Sequence, residues 1–383
     1  MPRPNFLWIC TNGQRPDTLG CYGNELVDTP HLDRLAQDGL VFENAFCQSP
    51  VCNPSRASFL TGRYPRTTGT RQNNQGMPAD EVLVTKLLAD ASYSCGLAGM
   101  LHLGESGAVG GQASGKRQVE TGYSMVHRSN SAAPGRPTNA YTGWLGERWL
   151  DYHSEPYQDS RWVEAGMPAE HHHTTWCAQM AINFIEAHAA GEQPWLFSVN
   201  IFDPHFPFDP PAGYLERWAD RLDEIPLPNL VEGEIDGKPE FHGQHHRDEL
   251  DPPQPYPYLE MADEDHRLLT AAYWAMGELI DAQVGRLLET LEQTGQLENT
   301  LVIFTSDHGE MLGDHGIYGK GPNFFEPATH VPLVLSQPGG IEPGRSYALV
   351  ELVDLAPTLL EAAGIDIPPG MQGKPLTALL QDN

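Results

Sequence analysis

Short, unbroken apolar runs punctuate the chain at residues 6–10, 96–99, 195–201, 301–305 and 333–336. Runs of that length predict strands buried on both faces. Between them, apolar residues recur at helical spacing over 29–39, 79–91, 174–190 and 264–294, which predicts amphipathic helices. The alternation points to an α/β protein with a parallel or mixed sheet between helical layers. In such sheets a ligand sits beyond the carboxyl ends of the strands. Two stretches break the pattern: about 105–172, rich in Gly, Ser, Trp and Tyr, and about 203–262, rich in Pro, Asp and His. Loops this long are usually functional or mobile, so they are the expected pocket walls. The Trp- and Tyr-bearing part, 141–162, offers flat surface suited to a sugar or aromatic ring.

Composition narrows the function. The 51 acidic against 23 basic residues leave a formal charge of −28, which repels nucleic acid and anionic membranes. An anionic substrate must then be drawn by local cations. The 6 cysteines lack the density of a disulfide scaffold and form no CxxC pair. The first apolar run is too short for a secretory leader, and no stretch reaches the length of a membrane span. The expectation is a cytoplasmic protein, or a periplasmic or secreted one if a leader has been removed. Oligomeric state is not legible.

The segment Cys52-Asn-Pro-Ser-Arg56-Ala-Ser-Phe-Leu-Thr-Gly-Arg-Tyr-Pro65 places a cysteine beside a predicted helix start, where free N–H groups favour negative charge. Arg56, about one turn on, can aim a guanidinium at the same spot. A nucleophile beside an anion site suits attack on a sulfate or phosphate ester. Alone, the pair reads first as a buried cysteine with an unrelated arginine.

The full string resembles the signature of the type I, formylglycine-dependent sulfatases of the alkaline phosphatase superfamily, in which the Cys is oxidised to formylglycine. Further strings follow in the family's order: Arg15-Pro-Asp-Thr-Leu-Gly-Cys-Tyr-Gly23, Thr29-Pro-His-Leu-Asp-Arg-Leu-Ala36, Leu97-Ala-Gly-Met-Leu-His-Leu-Gly104, Asp203-Pro-His-Phe-Pro207, Thr305-Ser-Asp-His-Gly-Glu310 and Gly319-Lys-Gly321. The resemblance implies an alkaline-phosphatase-like three-layer α/β/α sandwich with a large, mostly parallel mixed sheet. One catalytic domain would span 1–383, with the carboxyl-terminal subdomain reduced or absent. It implies hydrolysis of a sugar or aryl sulfate, with Cys52, Arg56, His102, His205 and Lys320 catalytic. Asn12, Asp307, His308 and modified Cys52 would hold a divalent ion, Ca²⁺ first, with Mg²⁺ or Mn²⁺ as alternatives. The implied partners are a small-molecule or carbohydrate sulfate ester and a formylglycine-generating enzyme.

Three positions depart from the family's pattern. Asn12-Gly13 stands where two consecutive ligands, Asp-Asp or Asp-Gln, are usual; Gln14 is the candidate to rotate in. Met100 replaces a sulfate-touching Lys, and methionine donates no hydrogen bond. The chain ends at Asn383, soon after strings resembling the end of the main domain. These changes keep open an attenuated relative that binds a sulfated ligand, and the likeness of tetrahedral sulfate and phosphate keeps open a phosphonate or phosphate ester hydrolase. The run His171-His172-His173 is left out of the metal set, since consecutive histidines in a helix or strand do not face one point.

Overall fold

The computed structural model describes residues 3–104, 119–131, 139–250 and 255–380. Ten strands occur among them: β1 Asn5–Thr11, β2 Leu40–Phe46, β3 Ser94–Gly99, β4 Met125–Arg128, β5 Glu155–Pro156, β6 Glu164–Ala165, β7 Trp195–Asn200, β8 Thr300–Ser306, β9 Leu333–Ser336 and β10 Gly344–Glu351. Eight form one sheet in the order β10-β2-β9-β8-β1-β7-β3-β4. Only β9 runs against its neighbours in that sheet. This is the predicted mixed, mostly parallel arrangement.

β1 shows why its sequence is a continuous apolar run. Phe6, Trp8 and Cys10 enter one core with Phe59 and Leu60 of the helix Cys52–Thr61 and Leu355 and Leu359 of the helix Leu355–Ala362. Leu7 and Ile9 enter the opposite core with the helix His173–His188 and with Ile280, Val284 and Leu287 of the helix Asp263–Gln293. Both faces are covered, so neither tolerates polar alternation. Each large side chain removed from water contributes about 1.5–3 kcal/mol.

Register then builds the site. Thr11 pairs with Ser306, and Cys10 pairs with Asn200, which also pairs with Gly99. The strand ends are level, so Asn12, Met100 and Asp307 leave the sheet side by side.

The five predicted strands and the helices at 29–39, 174–190 and 264–294 are present within two residues at each end. The helix expected over 79–91 is shorter, Val84–Asp90. Its first part is a turn in which Glu81 N–H bonds Pro78 O and the Glu81 carboxylate takes Arg63 at 2.9 Å. The loop segments carry more structure than expected: a β5–β6 hairpin and helices Ala140–Gly146, Ala212–Glu216 and Glu240–His246. Residues 105–118, 132–138 and 251–254 of those loops lie outside the described residues. The aromatic stretch 141–162 does not present a stacking face as a whole, since Tyr141 and Tyr157 are core residues while Trp149 is exposed. No helix among the described residues is long and apolar enough to cross a membrane.

Candidate active site

Cys52 is the first residue of its helix, with Val51 extended before it. Its thiol is buried and stands 3.1 Å from His308 Nε2 and 3.5 Å from Asn12 Oδ1. One turn on, Arg56 is 1 % exposed. Its Nε bonds Asp307 Oδ2 at 2.9 Å and its Nη1 donates to Met100 O at 2.8 Å. Nη2 is buried with no partner. The helix supplies nucleophile and guanidinium, the end of β8 supplies Asp307 and His308, and the end of β1 supplies Asn12. Asn12 and Asp307 meet because β1 and β8 end in register, and the Arg56–Asp307 bond ties the helix to them.

Three further cations or bases face this centre. Lys320 Nζ is buried without a hydrogen-bond partner, 5.8 Å from the centre of the Phe206 ring. His205 Nδ1 bonds Phe206 O at 2.7 Å. His102 takes a positive φ of 50°, and its Nδ1 is buried with no partner. Burial, and then the charge of Lys320, push the pKa of both His205 and His308 down. His102 is pushed down to about 4 by burial and by Arg56. The Cys52 thiol is pushed up by burial, opposed by Lys320 and Arg56. The predicted residues thus form one cage whose imidazoles are neutral at pH 7.

A carbonyl partner also sets each tautomer. His308 Nδ1 donates to Gly309 O at 2.7 Å, leaving the Nε2 lone pair on Cys52. The same logic at His205 leaves Nε2 as an acceptor.

The metal set assembles in part as expected. Cys52, Asp307 and His308 offer ligand atoms within 4.8 Å of one another. Asn12 adds a carbonyl oxygen, while Gly13, at φ 78°, offers only its N–H, which donates to Asp307 Oδ1 at 3.2 Å. Gln14 does not rotate in: its amide is buried beside Gly277 of the long helix, with neither end bonded. The protein donors are therefore one sulfur, one nitrogen and the side-chain oxygens of Asn12 and Asp307. They could hold a divalent ion, and with Cys52 converted to formylglycine the sulfur would give way to oxygen, the donor that the expected Ca²⁺ calls for.

Several participants escaped the sequence reading. Asp203 is 2 % exposed; its carboxylate accepts from Thr174 Oγ1 and lies 3.4 Å from His172 Nδ1, while its carbonyl accepts Asn12 N–H at 3.2 Å. His172 caps the helix His173–His188, and His173 is packed against Tyr141 and Trp176, which keeps the histidine run out of the metal set. Tyr273 O–H donates to Gly13 O and accepts Arg15 N–H, clamping the turn after β1. Within a helical pattern, Tyr273 carried no signal beyond that of a core residue.

Asp203 gives a testable pH effect. Burial raises its pKa from 3.8 to about 7, so the folded state holds the proton more tightly. The stability this contributes is present below about pH 4 and is lost as pH rises to about 7. Against Asp203→Asn, the wild type should therefore lose about 1.4 kcal/mol per pH unit between pH 5 and 7. Parallel unfolding curves for the two proteins across that range would show no such carboxyl effect.

The sulfatase family model matches residues 4–365. The chain belongs to the sulfatase family. It is 30% identical to the uncharacterized sulfatase YidJ of Escherichia coli K12, over 99% of this chain and 71% of that protein. Human iduronate 2-sulfatase is 30% identical over 95% of this chain and 70% of its own length. Among solved structures, the phosphonate monoester hydrolase of Silicibacter pomeroyi superposes with a TM-score of 0.83 at 26% identity, covering 98% of this chain and 76% of that one. The fold is thus the alkaline-phosphatase-like fold of sulfatases, and the chain is a hydrolase of that family.

Proposed function

We propose that the chain hydrolyses a sulfate monoester of a sugar or phenol, after conversion of Cys52 to formylglycine by a formylglycine-generating enzyme. The observation that carries this reading is the cage itself: a helix-start Cys52 between His308 and Asn12, with Arg56 and Lys320 facing it. The Cys52 sulfur marks where an oxygen of the hydrated aldehyde would stand. In the first step that hydroxyl gives its proton to solvent, with its oxyanion stabilised by Arg56, and attacks sulfur; the S–O bond to the alcohol breaks, and the alkoxide takes a proton. Lys320 is the better-placed donor, because His205 is neutral with its N–H turned to Phe206 O. In the second step His102, neutral and with a free Nδ1, takes the proton of the remaining hydroxyl. The C–O bond to sulfate breaks, sulfate leaves and the aldehyde returns, to be hydrated again by water. A divalent ion held by Asn12, Asp307, His308 and the hydrate would polarise the ester oxygens.

The whole chain, 1–383, acts in this reading as one catalytic unit, with loops about 105–172 and 203–262 as pocket walls. The name of the human relative, iduronate 2-sulfatase, supports a sugar sulfate. A second reading, phosphonate monoester hydrolysis, is favoured by the superposition on the Silicibacter enzyme. Both esters carry a single negative charge, and Met100 in place of a Lys disfavours anything more highly charged. With Cys52 left as a thiol, the cage would bind a sulfated ligand without turnover. Rates on matched aryl sulfate and aryl phosphonate esters, with conversion of Cys52 checked by peptide mass, decide the matter: sulfate should be the faster, and a tenfold preference for phosphonate reverses the assignment.

A further inference from the structure

The departures at Asn12, Gly13 and Met100 share a physical feature: each lies in the ligand set or bonds a member of it. Asn12 Nδ2 donates to the Met100 thioether at 3.8 Å, which turns Asn12 Oδ1 towards Cys52 Sγ at 3.5 Å. A lysine at 100 would add a second ammonium to that of Lys320 beside any bound cation; methionine does not. A side chain at Gly13 would bring its Cβ within 3.4 Å of His308 Cε1, on a backbone with φ 78° that favours glycine. Gly13 leaves that ring its place and lends its N–H to Asp307.

The outer atoms of the ligands are held as well. His308 Nδ1 is fixed by Gly309 O at 2.7 Å, and Asp307 Oδ2 is fixed by Arg56 Nε at 2.9 Å. Such outer contacts orient metal ligands and sharpen affinity. Three of the six edges of the cluster run 3.1 Å from sulfur to His308 Nε2, 3.4 Å from that nitrogen to Asp307 Oδ1, and 3.5 Å from sulfur to Asn12 Oδ1, and the sulfur and Asp307 oxygen lie within 4.8 Å of each other. Around a tetrahedral ion with bonds of about 2.0–2.3 Å the corresponding edges are about 3.3–3.6 Å.

We infer that the chain with Cys52 unconverted is a zinc-class metal site, in which a Cys52 thiolate, His308 Nε2, Asp307 and Asn12 take one four-coordinate ion and Ca²⁺ is refused. Sulfur and imidazole select borderline ions, whereas Ca²⁺ calls for oxygen. On binding, the thiol proton passes to solvent and a metal–sulfur bond forms, with no change of oxidation state. Formylglycine then exchanges the sulfur for oxygen, so the modification resets which metal the centre prefers. The family-like centre is rewritten towards a different ion.

The test uses full-length protein whose Cys52 is shown by intact mass to be unconverted, stripped with chelator and titrated with Co²⁺. One equivalent should produce a near-ultraviolet thiolate-to-cobalt charge-transfer band and the intense visible bands of a four-coordinate ion. Equimolar Zn²⁺ should abolish them, and a thousandfold excess of Ca²⁺ should not. Cys52→Ser should lose the charge-transfer band, and Met100→Lys should weaken Co²⁺ at least tenfold. Absence of the band in the wild type, or displacement of Co²⁺ by Ca²⁺, overturns the inference even if a variant fails to fold. No turnover is read, so the result stands apart from whether the converted chain hydrolyses sulfate esters.

Discussion

Replacing Cys52 by alanine should lower kcat/KM on a sulfate ester by about 10⁴-fold or more, the scale seen when a covalent nucleophile is removed. Alanine keeps the helix start and loses only a buried sulfur, so the unfolding free energy should change by about 1 kcal/mol. The gap between those effects separates chemistry from folding. Serine is the more informative variant. It offers one hydroxyl in place of the hydrate's two, so it can accept sulfate from the ester and cannot expel it by regenerating an aldehyde. A single burst of alcohol, then silence, with the sulfate recovered on the peptide carrying position 52, is the expected record. Steady turnover by Cys52→Ala within tenfold of the converted enzyme would remove the nucleophile from the account.

The core strands were legible because they are buried on both faces. Phe6 to Cys10 alternates between two cores, so every position is apolar and the run stands out at any register. β2, β4 and β10 were not recognised for the converse reason. β4 is an edge strand with Met125 and Val126 well exposed, β10 is the other edge with Tyr347 and Leu349 outward, and β2 is interrupted by Glu43 and Asn44. A half-exposed strand of four residues has too little pattern to separate from a loop. The site was legible through short strings whose order along the chain matched the family's, and the sheet register and the Arg56–Asp307 bond then brought Asn12, Cys52, Arg56, Asp307 and His308 together.

What the strings did not carry was the state of each group. Whether His205 donates or accepts depends on the Phe206 carbonyl 2.7 Å from its Nδ1. The orientation of the Asn12 amide depends on a methionine 88 positions away. The first arises from the local backbone conformation and the second from tertiary contact between distant segments, and residue type alone encodes neither. The same holds for Tyr273, which sits 260 positions from the Gly13 carbonyl it holds. The pattern of departures also changes meaning with geometry. In the sequence, Asn12, Gly13 and Met100 suggest attenuation; in space they form a neutral, mutually supporting group around Asp307 and His308.

The other large effect concerns the ion pair beneath that group. Arg56→Met keeps the volume of the side chain and strands the Asp307 carboxylate, which is 0 % exposed, with Gly13 N–H as its remaining donor. Removing one partner of a buried pair costs about 3–5 kcal/mol, because the survivor keeps its desolvation without its countercharge. With an unfolding entropy of about 2.1 cal/mol/K per residue, that lowers the melting temperature of a chain of 383 residues by about 5 °C. Adding Asp307→Asn should restore most of the loss, since the stranded charge is gone, while hydrolysis stays absent in both variants. Arg56→Lys should fall between them: an ammonium can meet Asp307 Oδ2, but one point charge cannot also hold the Met100 carbonyl as the guanidinium fork does at 2.8 Å. Thermal unfolding followed by circular dichroism reads all three proteins. A melting temperature for Arg56→Met within 1 °C of the parent, or failure of the double variant to recover, would show that solvent or another donor reaches Asp307, and that the cage is wetter than its burial indicates.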